Sequence, residues 1–205
     1  MTKIYVEGRG HINFTENGNF SDFDWLTQSS FPRANVVYRS TDSKEKNKLL
    51  TEGIVTPSNR LSEICKAPSK TNFRLTCGSW LEKTSILSTI EQYDCLRHFW
   101  RSVFISSDIK IFLTWYRYAS KTTIIGDAVR EAGGISVCLP VAFDGWQSAD
   151  LSLTCDVMFS YSKHSKTIDE KSNVDSNYSI IVGYPRDHAI TLVKGEAMRL
   201  RKKLQ

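Results

Sequence analysis

Histidine, cysteine and carboxylate side chains are where a catalytic or metal-binding chain shows its chemistry, and in this sequence they are scattered. The four histidines stand at 11, 98, 164 and 188, and the five cysteines at 65, 77, 95, 138 and 155. His98 follows Cys95 by three residues in a helical stretch, a spacing that would suit a shared metal or an activated thiol. A core cysteine beside a surface histidine is the simpler reading. Asp144, Asp150 and Asp156 are too dispersed to act as paired carboxylates, and Gly8-Arg9-Gly10 is too short for a phosphate loop. The sequence has no Walker loop, no GxGxxG, GxSxG or HExxH motif and no CxxC pair. The expectation is therefore no catalytic residue, no cofactor and no metal site. A small α+β enzyme stays open as an alternative, because catalytic groups can converge from distant positions.

What remains is charge. The chain carries a net +5 and a pI of about 8.9. Residues 61–130 hold ten Lys or Arg against six Asp or Glu, whereas residues 131–205 hold nine against nine. The last twelve residues concentrate Lys194, Arg199, Arg201, Lys202 and Lys203 against Glu196. These five cations are the candidate site for an anionic partner: a membrane surface, nucleic acid or an acidic protein. Mixed with Met198, Leu200 and Leu204, they also suit an import signal or a lipid-surface anchor. A second candidate is Trp115-Tyr116-Arg117-Tyr118, aromatics interleaved with a cation as in a nucleic-acid-binding sheet face.

The elements that would position these residues follow from periodicity. Lys3 to Val6, His11 to Phe14 and Ala34 to Tyr38 alternate as short strands, and Asn17-Gly18 is a hairpin turn signal. Ser43 to Leu50 suits a short charged helix, and the Pro-, Ser- and Thr-containing stretch 51–71 a linker or wrapping segment. Asn72 to Trp80 alternates as a half-buried strand. From Glu82 to Phe104 apolar residues recur at three- and four-residue steps, which predicts a long amphipathic helix with Thr84 or Ser85 as N-cap. Ile109 to Tyr118 reads as a strand, Thr123 to Ala132 as a short helix capped by Gly133-Gly134, and Ile135 to Phe143 as a strand broken by Pro140.

Asp150 to Tyr161 alternates over twelve residues, with Leu151, Leu153, Cys155, Val157, Phe159 and Tyr161 on one side. That pattern predicts an antiparallel strand with one wet face. Lys163 to Asn177 is polar and predicts a mobile loop. Tyr178 to Tyr184 and Ala189 to Lys194 read as a hairpin around Pro185-Arg186-Asp187. The expected fold is α+β, an antiparallel sheet packed against one long amphipathic helix and a shorter helix. Its divisions are an N-terminal hairpin and wrapping segment (1–71) within the same domain, a globular core (72–194) and a basic C-terminal tail (195–205). The core is expected to hold Phe73, Leu75, Ile86, Ile90, Trp100, Leu113, Leu153, Val157 and Phe159.

No run of eighteen apolar residues suggests a membrane span. The opening residues lack a secretory pattern, and Thr2 rules out N-myristoylation. A reducing compartment is expected, with the cysteines as small buried apolar residues.

The order of elements between residues 72 and 161 resembles the globular core of rhabdovirus matrix proteins. The segments that carry the resemblance are NFRLTCGSW, ILSTIEQYDCLRHFW, IKIFLTWYRYASKTT, and SVCLPVAF with DLSLTCDVMFSY. The N-terminus is not lysine-rich, and no PPxY or PTAP motif occurs, so the resemblance points to a divergent lineage such as the plant-infecting members. It implies a structural, non-enzymatic matrix protein in the virion, the host cytoplasm and inner membrane face, or the host nucleus. Its implied partners are itself, the nucleocapsid (RNA and nucleoprotein) and an anionic membrane surface. Its implied work is assembly and budding. A nucleic-acid-binding module is the alternative.

Overall fold

The computed structural model describes residues 2–6, 32–38, 43–51, 53–57, 76, 78–140, 145–184 and 190–204. Six strands, Lys3–Val6 (β1), Val36–Val37 (β2), Ile109–Thr114 (β3), Ile135–Cys138 (β4), Thr154–Ser160 (β5) and Asp175–Ile181 (β6), form one sheet in the order β2-β1-β3-β4-β5-β6. All five neighbouring pairs are parallel. The helices are Ser43–Thr51 (α1), Trp80–Ser106 (α2), Ser120–Glu131 (α3), Lys163–Lys171 (α4) and Ile190–Leu204 (α5). The fold is therefore of the α/β type, and the expected antiparallel α+β sheet is wrong.

The physical reason lies between the last strands. Lys163 to Asn177 is not a loop. Ser162 accepts a hydrogen bond from the Ser165 amide and starts α4, which buries Ser165, Ile168 and Asp169. Asn173, at φ 58°, lets the chain leave the helix. A helical connection spans the sheet and returns the chain in the same direction, so β5 and β6 run parallel. Tyr178–Tyr184 and Ala189–Lys194 do not pair as a hairpin either. The first belongs largely to β6, and the second enters α5.

The alternation in β5 was a true period with a different cause. Thr154 faces water, but Asp156 and Ser160 are engaged by neighbouring strands and α4. Asp156 accepts from the Ser136 amide (2.7 Å), from its hydroxyl (2.9 Å) and from the Asn177 amide (3.1 Å). Ser160 donates to Asp169 at 2.9 Å. Polar side chains on a covered face are stable when paired in this way.

α2 begins earlier than predicted. Ser79 and Glu82 form a capping box, each side chain bonded to the other's backbone amide, at 3.2 and 3.0 Å. At 27 residues it is about 40 Å long. Only its C-terminal part, with Phe99, Trp100, Val103 and Phe104, reaches the core. Ile86, expected in the core, is 40% exposed, and Ile90 is half-buried. Phe73 and Leu75 lie outside the described residues, as do the strand at His11–Phe14 and the Asn17-Gly18 turn. Trp100, Leu113 and Leu153 are buried, while Val157 and Phe159 are only partly so.

Tyr5 of β1 packs on Trp100, Phe104 and Phe112 with ring centroids 5.1 to 5.9 Å apart. On this face α2 and α3 cover the sheet. α3 ends at Gly133, where φ is +75°, and Gly134 passes so close to β3 that a Cβ there would sit 2.4 Å from the Lys110 carbonyl oxygen. On the opposite face Ile4, Val6, Val36 and Leu113 are covered by Leu49 of α1, Tyr38 and Ile54.

Candidate functional site at the open end of the sheet

The five cations singled out in the sequence all fall on α5, as one helix rather than a tail. Every side chain described there, from Lys194 to Leu204, is exposed. At about 100° per residue, Ala197, Leu200 and Leu204 share one stripe. Arg199 and Lys202 lie on the far side of the helix, and Lys194 and Arg201 flank the stripe. The helix thus sorts its surface into an apolar strip and a basic back, an arrangement invisible in a charge count.

A second exposed surface adjoins it in the sequence. In a parallel pair, residues in register point to the same face. Val157 pairs with Tyr178, and Phe159 with Ile180. Together with Ile135 and Val182 they form an apolar strip across β4, β5 and β6. Ile135, Ile180 and Val182 are each between 43% and 46% exposed, and Tyr178 is 67% exposed. The same face is well covered at β1 and β3. Strands of a parallel sheet are normally shielded on both sides, so this strip is a layer without a cover. The alternation of Tyr178, Ile180 and Val182 is legible in the sequence, but it belongs to an edge strand of a parallel sheet rather than to the expected hairpin.

The carboxyl ends of β3 and β5 hold a buried charge pair that sequence reasoning missed. Arg117 donates to Asp169 of α4 at 2.6 Å, and the two side chains are 3% and 8% exposed. Asp169 takes its other bond from Ser160. The partners are 52 residues apart, so no local spacing could signal them. Trp115-Tyr116-Arg117-Tyr118 is not a basic sheet face. Trp115 and Arg117 are buried, whereas Tyr116 and Tyr118 are exposed and meet edge to face at 5.2 Å. Between α4 and β6 lies a polar cleft of about 270 Å³ that shares Asp169 as part of its wall.

The remaining reactive candidates separate. Cys95 is disulfide-bonded, which removes its thiol from any pairing with the exposed His98 and departs from its reading as a reduced apolar residue. Cys138 and Cys155 are free and buried, as expected. Burial, and then the neighbouring Asp156 charge, push the Cys155 thiol up from 9.0 to about 12, so it stays protonated. Burial and a hydrogen bond to Asp127 push the Tyr93 hydroxyl up from 10.0 to about 12. Among the described residues no group of three His, Cys, Asp or Glu side chains could hold a metal ion. None of the described helices is long and apolar enough to cross a membrane. Gly8-Arg9-Gly10, Asp144 and the Pro185-Arg186-Asp187 turn lie outside the described residues.

No protein-family model matches the chain, and no curated protein matches its sequence.

Proposed function

We propose that this chain is a binding and assembly protein that associates with further copies of itself and docks an anionic surface on α5. One observation carries the reading: Ile135, Tyr178, Ile180 and Val182 are exposed, beside the partly buried Val157 and Phe159, while the same face is covered at β1 and β3. Apolar area in water is unfavourable by about 25 cal/mol per Å², which favours an occupant. A helix laid on a sheet face is how α/β layers close. α5 carries a matching apolar stripe that its own fold leaves exposed. The occupant is α5 of a second copy, seated by Ala197, Leu200 and Leu204, with Arg199 and Lys202 turned outward to the anionic partner.

This keeps the self-association and anionic docking that the matrix-protein resemblance implied. It does so without the antiparallel core, so it rests on the two surfaces alone. The test is sedimentation of the full chain across a salt series, with and without anionic liposomes or RNA. Self-association should persist or strengthen with salt, because apolar contacts drive it. Liposome or RNA binding should weaken as salt rises. Self-association that dissolves in salt would contradict the apolar assignment. Anionic binding unchanged when Arg199, Arg201, Lys202 and Lys203 are replaced by Ser would remove α5 as the docking site.

A further inference from the structure

We infer that the cleft between α4 and β6 is a binding site for a small zwitterion of the amino-acid class, independent of the assembly surfaces. α4 offers Lys166, Asp169 and Glu170, which recur at the three- and four-residue spacing of one helix side. β6 offers Asn177 and Ser179 from the face turned toward α4, with Ser176 at the cleft's margin. Met158 and Val174 supply the apolar part of the lining.

Two of these polar groups, Asp169 and Asn177, are already engaged, and they define what is left. The Asp169 carboxylate is occupied by Arg117 on one oxygen and Ser160 on the other. It is wall rather than ligand contact, and its charge is balanced. The Asn177 amide nitrogen is bonded to Asp156. Lys166 and Glu170 differ. Their charged atoms stand 3.9 Å apart, close enough to hold each other in place but too far for a hydrogen bond. The ammonium and the carboxylate therefore both keep bonding capacity, and both are solvent-accessible, at 39% and 63%. The Ser179 hydroxyl is buried with no hydrogen-bond partner. An unsatisfied buried hydroxyl in a cleft wall is a group that a ligand can complete.

One positive and one negative group with free capacity side by side match a ligand that carries the opposite pair. An α-carboxylate meets Lys166 and an α-ammonium meets Glu170. A simple anion such as phosphate would meet repulsion from Glu170, and a simple amine would meet it from Lys166. The volume of about 270 Å³ lies below the range of drug-sized pockets and suits a few non-hydrogen atoms. Val174 fits a short aliphatic side chain, and a small shift of the cleft wall would bring the buried Ser179 hydroxyl within reach of a polar tip.

The test is isothermal calorimetry on the full chain with glycine, alanine, serine and valine. The comparison probes are acetate, ethylamine, inorganic phosphate and glycerol. At least one amino acid should bind, and the single-charge probes should bind at least about tenfold more weakly. Lys166→Met and Glu170→Gln should each weaken the amino acid by about tenfold or more. Both positions are exposed enough for folding to survive, which an unchanged thermal midpoint verifies. Ser179→Ala should lower affinity for serine more than for alanine. Acetate, phosphate or glycerol binding as tightly as the amino acids would overturn the zwitterion assignment. No heat from any amino acid at about 10 mM would overturn the site. Neither result bears on self-association, which uses the other face of β6.

Discussion

At β1 and β3 both faces of the sheet are closed, one by α2 and α3 with Tyr5, Trp100, Phe104 and Phe112 interlocked, the other by Leu49, Tyr38 and Ile54. At β5 the face bearing Met158 and Ser160 is covered, whereas the edge strand β6 has no buried residue and presents Tyr178, Ile180 and Val182 on one side and Ile181 on the other. Both ends use strands of the same kind in the same direction. What differs is the supply of helices: the long helix α2 packs on the first end, and α5 leaves its described side chains exposed. The closed end holds the core, and the open end is where the proposed contact would form.

Substitutions should separate the two ends cleanly. Phe104→Ala, in the interlocked aromatic core, should cost about 3–5 kcal/mol in chemical denaturation. Asp169→Ala should cost a similar 3–5 kcal/mol, because it strands the Arg117 guanidinium in a buried site. Arg117→Met together with Asp169→Leu should recover much of that loss, which would mark the pair as costly to break rather than stabilising in itself.

Gly134→Ala should cost about 1–3 kcal/mol, since its methyl would strike the Lys110 backbone and force the α3–β4 turn away from β3. Ile180→Ser at the open end should change monomer stability by less than about 0.5 kcal/mol. A large loss there would mean that the strip is covered within the monomer, and the contrast between the ends would fail.

The smallest effect is one of pH. Cys155 and Tyr93 hold their protons up to about 12 in the folded chain, against 9.0 and 10.0 unperturbed. The unfolded chain gives up these protons first, so the stability they contribute is intact below pH 9 and is lost as pH rises toward 12. Cys155→Ser should flatten the first part of that decline in urea titrations. An unchanged slope would place the thiol in contact with water.

The pattern of strands and helices was legible where one element decides its own form. Ser43 to Leu50, Glu82 to Phe104 and Thr123 to Ala132 are helices as read, and Lys3 to Val6 is a strand. The direction of β6 against β5 was not legible, because it turned on α4, whose residues are polar and hold one buried isoleucine, Ile168. Composition alone cannot tell such a helix from a loop, since its stability comes from the Ser162 cap and from Asp169 bonded to Arg117. Asp156 misled for a related reason: a carboxylate on an alternating strand looks solvent-facing until Ser136 and Asn177 are seen beside it. The basic residues of α5 were found from charge. The open apolar strip was not found, because with 163–177 read as a loop there was no helix to decide which face of β6 is covered.

The central claim is that the open end is an interface, and sedimentation velocity on the wild type beside a Tyr178→Ser/Ile180→Ser variant tests it most directly. The wild type should show reversible, concentration-dependent association, and the variant should remain a monomer with an unchanged thermal midpoint. A wild type that stays monomeric at every concentration, or a variant that associates as strongly, would contradict the account.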